Sequence, residues 1–153
     1  MKIKVEIDEN LPEDEILIRC RTMDEETIAI QKQVAEAVKS RLQLNVFKGE
    51  IEYYLTLDEI LFFETSGSLV AVHTKSDIFE TKLRLCELEE ILPGFFFRIS
   101  KSAILNTRQV QAVHKNLTGA SEVEFHQSHK KVFVSRNYFK TFTAKLEEKR
   151  LKK

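Results

Sequence analysis

At 153 residues, with 42% hydrophobic and 31% charged side chains, four glycines and two prolines, the chain can build one ordinary core or a compact domain with a short appended unit. Two large domains, a collagenous rod and a disordered tail are excluded. The formal net charge of zero conceals a gradient: residues 1–30 carry four Lys/Arg against nine Asp/Glu, residues 31–94 seven against eleven, and residues 95–153 thirteen against four. Such asymmetry is the footprint expected of a protein that meets a polyanion with its C-terminal part. A solvated lysine-rich tail is the alternative, because KLEEKRLKK supplies five of those cations.

No apolar run approaches the roughly 20 residues needed to cross a bilayer, and MKIKVEIDEN is acidic and alternating where a signal peptide would be basic and then apolar. The expected compartment is the cytoplasm. Cys20 and Cys86 belong to no C-x-x-C pair and lie among apolar residues, so both are expected as reduced, half-buried thiols.

In chain order, KIKVEI (2–7) and EILIRC (15–20) alternate with the period-two pattern of half-buried strands, separated by Leu11-Pro12. Thr22 and Glu25 have capping-box spacing, and Ile30, Val34, Val38 and Leu42 then recur every fourth residue, which predicts a helix from about 24 to 42. From residue 44 the chain becomes strand-rich. LNVF and EIEYYLTL flank Lys48-Gly49; EILFFE ends at Thr65-Ser66-Gly67-Ser68; LVAVHT ends at Lys75-Ser76-Asp77; IFETKLRL follows. Leu85, Leu88 and Leu92 predict a short helix stopped by Pro93-Gly94. After the loop FRISKSAILN come VQAVHK, EVEFH and KVFV. The last element is a helix with Ser135 as N-cap and Tyr138, Phe139, Phe142 and Leu146 on one face. Many short strands with two or three helices make an α+β, mostly-β protein.

Metal or catalytic chemistry finds little support. His126 and His129 form a lone H-x-x-H pair at a hairpin tip with no further ligand nearby, and His73 and His114 sit in alternating strands. There is no G-x-S-x-G, no glycine-rich phosphate loop and no H-E-x-x-H, and Asp58-Glu59 and Glu89-Glu90 fall where exposed surface is expected. No enzyme, cofactor, metal or small-molecule substrate is expected. Phe95-Phe96-Phe97 could stack bases, but after Pro-Gly and before a strand the run is expected to fill the core. The basic positions fall in loops instead: Arg98, Lys101 and Ser102 around one turn, Ser135, Arg136 and Asn137 at another, with Ser66, Gly67 and Ser68 at a third. Loop residues are free of core duty, and these side chains reach phosphates and base edges. A helix N-terminus at Ser135-Arg136 would add backbone donors for a phosphate.

Phe97, Arg98, Ser100, Ser102 and Asn106 in FRISKSAILN, and Val134, Ser135, Arg136 and Lys140 in VSRNYFK, give the region 44–150 a resemblance to the LytTR family of DNA-binding domains, typified by LytR and AgrA regulators. The resemblance implies an elongated stack of small antiparallel sheets that binds duplex DNA through loops entering successive major grooves. Base-contacting positions of the family correspond to Ser68, Lys101 and Arg136, with Arg98, Ser100, Ser102, Ser135, Asn137 and Lys140 placed for DNA-backbone contact and Asn106 structural. Ser68 is shorter than the side chain usual in the family, and Lys101 replaces a common Asn or His.

Residues 1–43 depart from the family's response regulators. They are too few for a phospho-acceptor receiver domain, so the chain is most similar to short receiver-less regulators, some of which work beside a small membrane protein. The strand-strand-helix unit, acidic and with one apolar helix face, is expected to mediate dimerisation or partner docking. The function implied is a sequence-specific transcription regulator acting on promoter direct repeats, as a homodimer at least on DNA. The alternative is a protein-interaction adaptor that keeps the fold without DNA binding.

Overall fold

A computed structural model describes residues 1–39 and 41–148, and the chain divides into two compact units, Met1–Val34 and Ala35–Lys153. In the first, the two alternating segments 2–7 and 15–20 form no β-ladder among the described residues. The expected strand pair is therefore corrected to two segments without regular secondary structure. The physical reason is coverage: Ile3, Val5, Ile7 and Ile16 are 97%, 83%, 91% and 66% exposed, and a two-stranded ribbon with a bare apolar face is marginal in water. Helix α1 spans Glu25–Lys39, shorter at both ends than the periodicity predicts, and the last turn of the expected helix includes Ser40, outside the described residues. Its N-terminus is held by Asp24 rather than by a Thr22–Glu25 box. The Asp24 carboxylate accepts the Thr27 N–H at 2.9 Å, and that bond holds its pKa below the usual carboxylate value.

Among the described residues the second unit holds ten strands in two antiparallel sheets. The larger contains β1 (Gln43–Lys48), β2 (Ile51–Thr56), β3 (Phe62–Ser66), β4 (Leu69–His73), β5 (Ile78–Thr81), β6 (Phe96–Ser100) and β7 (Ala103–Asn106), in the spatial order β2-β1-β5-β4-β3-β7-β6. The smaller is a meander of β8 (Val110–His114), β9 (Ser121–Phe125) and β10 (Lys131–Val134). Helix α2 (Leu85–Ile91) precedes β6, and α3 (Arg136–Glu147) follows β10.

Alternation along β3, β6 and β7 explains how the two layers join. Phe63, Phe96 and Ile104 point into one core with Val46, Val72, Leu85, Leu88 and Phe95. Their neighbours Phe62, Phe97, Ala103 and Leu105 point the other way, into a second core with Val123, Phe125, Val132, Val134 and Phe142. These strands are covered on both faces, so β7 is buried at every position. Phe95 to Phe97 thus serve as core, as expected, with Phe95 fully enclosed. Cys20 and Cys86, expected half-buried, are exposed free thiols.

Asn106 fixes the exit from β7. It is fully buried; its amide donates to the Ile60 carbonyl at 3.0 Å, and its oxygen accepts the Arg108 N–H at 3.0 Å. Thr107 then donates its hydroxyl to the Phe95 carbonyl at 2.8 Å, and the Arg108 guanidinium lies 4.0 Å from the centre of the Phe95 ring.

Candidate nucleic-acid interface

Three loops carry the candidate side chains. The first joins β3 to β4 through a two-residue turn, which needs a positive φ at its first central position; Gly67 supplies +61°, and Ser68 stands exposed at the tip. The second joins β6 to β7. A register shift between Arg98 and Ser100 lets Ile99 bury completely while Lys101 and Ser102 project into solvent. The third is the step from β10 into α3, where Ser135 occupies the N-cap in extended conformation (φ −68°, ψ 155°). Its hydroxyl makes no capping bond; the Tyr138 N–H donates to the Ser135 carbonyl at 3.1 Å, which leaves the N–H groups of Arg136 and Asn137 as those an anion could meet.

Two backbone hydrogen bonds set these loops side by side. The Thr65 N–H donates to the Ser102 carbonyl at 2.9 Å, tying the first loop to the second. The Ser135 N–H donates to the Ile99 carbonyl at 2.9 Å, tying the second to the third. Ser68, Lys101 and Arg136 are all exposed, each within three residues of one of these bonds. Asn137 and Lys140 continue the exposed surface of α3, with Lys140 one turn beyond Arg136, while Phe142 faces the second core.

Charge compensation separates the cations of the C-terminal part. Arg98 pairs with Glu89, Arg108 with Glu36 and Asp58 at 3.5 and 3.6 Å, Lys131 with Glu122 at 3.0 Å, and Lys145 with Glu148 at 3.4 Å. Lys101, Arg136 and Lys140 have no side-chain ion pair or hydrogen bond among the described residues. Uncompensated charge of the C-terminal part therefore includes Lys101 on the second loop and Arg136 and Lys140 at the third, with Lys115 apart from them beyond β8.

Arg98 stands apart from the other candidates. Its Nε donates to the Ser100 carbonyl at 2.7 Å, one terminal nitrogen donates to the Lys101 carbonyl, and the other meets Glu89 of α2. The Ser100 hydroxyl accepts the Ser102 N–H at 3.1 Å and lies 3.3 Å from the Ser102 hydroxyl. Arg98 and Ser100 thus brace the loop that displays Lys101. Glu89, which the sequence places on a solvated surface, is part of that brace; the partnership depends on α2 packing against β6, which no local pattern reveals.

Sequence reasoning also missed a grouping on the smaller sheet, where His114, Glu122 and Glu124 offer ligand atoms within 4.8 Å of one another. The Lys131 ammonium already stands 3.0 and 3.8 Å from the two carboxylates, and its hydrogen bond to Glu122 raises its pKa.

Short strands, loop-borne cations and a hydroxyl-rich hairpin tip define a β-rich nucleic-acid-binding module, and comparison with known proteins agrees. Residues 50–147 match the model of the LytTr DNA-binding domain, so the chain belongs to the LytTR family of DNA-binding domains. Along its length it is similar to an uncharacterized HTH-type transcriptional regulator of Staphylococcus aureus strain NCTC 8325 / PS 47, with 29% identity over 146 residues, 95% of this chain and 98% of the relative. The counterpart from strain MRSA252 is 28% identical over the same span. In structure it is similar to a LytTr DNA-binding domain from Bacillus cereus, with a TM-score of 0.64, 19% identity, and coverage of 69% of this chain and 96% of that one. That likeness bears out the mostly-β, α+β fold. In this chain strands separate α1, α2 and α3 from one another, so the described residues hold no helix-turn-helix.

Proposed function

We propose that the chain is a transcriptional regulator that binds duplex DNA sequence-specifically, presenting its three linked loops to the major groove. Ser68, Lys101 and Arg136 face base edges, while Ser102, Ser135, Asn137 and Lys140 engage phosphates. Arg98 and Ser100 hold the middle loop in shape. Arg136 carries the most discrimination, because a guanidinium can donate two parallel bonds to guanine O6 and N7, a contact worth about 1–3 kcal/mol against the wrong base. Such a regulator works in the cytoplasm, where a bacterial chromosome lies. Two copies occupy direct repeats with half-sites about one helical turn (10–10.5 bp) apart.

The observation that carries this reading is the pair of backbone bonds at Thr65–Ser102 and Ile99–Ser135, which aligns the exposed, uncompensated cations of two loops beside the tip of a third. Selection of bound duplexes from a random pool tests it. A recurring half-site is expected, R136A should relax preference at one position of it, and K101A should weaken binding. Absence of any enriched sequence, with affinity and salt dependence unchanged in both variants, would favour an adaptor that keeps the fold.

A further inference from the structure

The N-terminal segment 2–8 leaves its apolar side chains in water. Ile3, Val5 and Ile7 alternate with Lys2, Lys4, Glu6 and Asp8, and the latter four line a shallow groove with Leu11, Glu15, Leu17 and Arg19. No described strand pairs with this segment. An alternating stretch of this kind, with open backbone donors and acceptors, is a template for another strand.

The order of its charges identifies that strand. An antiparallel partner of the same sequence, centred on Val5, would place Lys2 opposite Asp8, Lys4 opposite Glu6, Ile3 opposite Ile7 and Val5 opposite itself. Every polar pair is then attractive and every apolar pair matched. Competing registers fail. A slip of one residue sets apolar against charged side chains, a change of two in the pairing sum sets Lys4 on Lys4 or Glu6 on Glu6, and parallel pairing in register opposes every charge to its like. Within one chain Lys4 and Glu6 are joined only by a surface pair at 2.7 Å, exposed on both sides.

We propose that residues 2–8 pair with residues 2–8 of a second copy of this chain, antiparallel about a two-fold axis through Val5. The junction is isologous and self-limiting, since each copy uses the same edge. It holds two DNA-binding units at high effective concentration, whatever the orientation of their half-sites. It does not depend on the DNA reading, because sedimentation needs no DNA.

Sedimentation equilibrium of the full chain should show a dimer. K4E sets acid against acid twice across the axis, and E6K sets base against base; each should raise the dimer dissociation constant about tenfold or more. The double swap K4E/E6K recreates both attractive pairs and should return it to within about threefold of the parent. In a C20S/C86S background, V5C should cross-link to itself on mild oxidation. I3C should not, because its own copies would lie roughly 13 Å apart along the ladder, beyond disulfide reach. A monomeric parent, indifference to K4E and E6K, failure of the double swap to restore association, or equal self-linking of I3C and V5C would each overturn the proposal.

Discussion

Arg98 donates from its guanidinium to the backbone carbonyl of Lys101, three residues ahead, so a buried-side arginine sets the position of an exposed lysine. The two residues sit in one loop and do different work. Salt dependence tells them apart. Each phosphate neutralised contributes about 0.9 to the slope of log K against log salt. A lysine ammonium at a base edge in the groove also displaces counterions from the flanking phosphates, so K101A should weaken duplex binding and flatten that slope by up to about one phosphate's worth. R98A should lower affinity by roughly tenfold through a loosened loop, the cost of ordering one or two side chains on binding, with the slope unchanged. Fluorescence anisotropy titrations at several salt concentrations make the comparison; a slope loss in R98A equal to that of K101A would place Arg98 on a phosphate instead.

Asn106 is expected to be the polar residue whose loss most harms stability. N106A leaves the Ile60 carbonyl and the Arg108 N–H without their side-chain partner inside a packed region, at a cost of about 2–4 kcal/mol. Urea denaturation should show a lower midpoint with an unchanged m-value. N106D restores only the acceptor and should remain destabilised.

His73 makes the fold sensitive to mild acid. Its ring stacks on Phe62 at 4.1 Å, Nδ1 is buried without a hydrogen-bond partner among the described residues, and burial, with a smaller contribution from the Lys130 charge, brings its pKa down from 6.5 to about 4. Between those two values the unfolded chain binds a proton that the folded chain refuses. Stability from this group is therefore complete above about pH 6.5 and declines as the pH falls toward 4, by up to about 3 kcal/mol. Chemical denaturation at pH 7 and pH 4.5 should reveal that decline in the parent, and H73F should reduce it.

Most of the strand set was legible because each strand of the second unit alternates between two environments or is bounded by turn residues. IFETKLRL shows where periodicity overreaches: β5 stops at Thr81, whose buried hydroxyl accepts the Leu83 N–H at 3.2 Å and turns the chain toward α2. KIKVEI reads as a strand for sound local reasons, yet it lacks the neighbour that would complete it. The candidate loops could be named from residue type, because Ser, Lys and Arg at bends have no core role. Their alignment could not, since Thr65 with Ser102 and Ile99 with Ser135 are meetings of residues 37 and 36 apart. Nor could the division of labour between Arg98 and Arg136, both next to a serine-bearing turn, of which Arg98 alone is held by Glu89 and by the Ser100 and Lys101 carbonyls.

Strands β3, β6 and β7 are gripped from above and below, so a change of shape on either face is felt on the other. The hairpin tips between them are joined to their neighbours through backbone groups at Thr65–Ser102 and Ile99–Ser135, while the side chains of Ser68 and Lys101 stand in solvent. If the proposed contacts hold, this separation gives the architecture an evolutionary latitude: a descendant would acquire a taste for a different promoter by exchanging one or two side chains at the tips, while the scaffold beneath is inherited intact. Innovation in what is recognised then proceeds by single steps, without passing through ancestors that fail to fold.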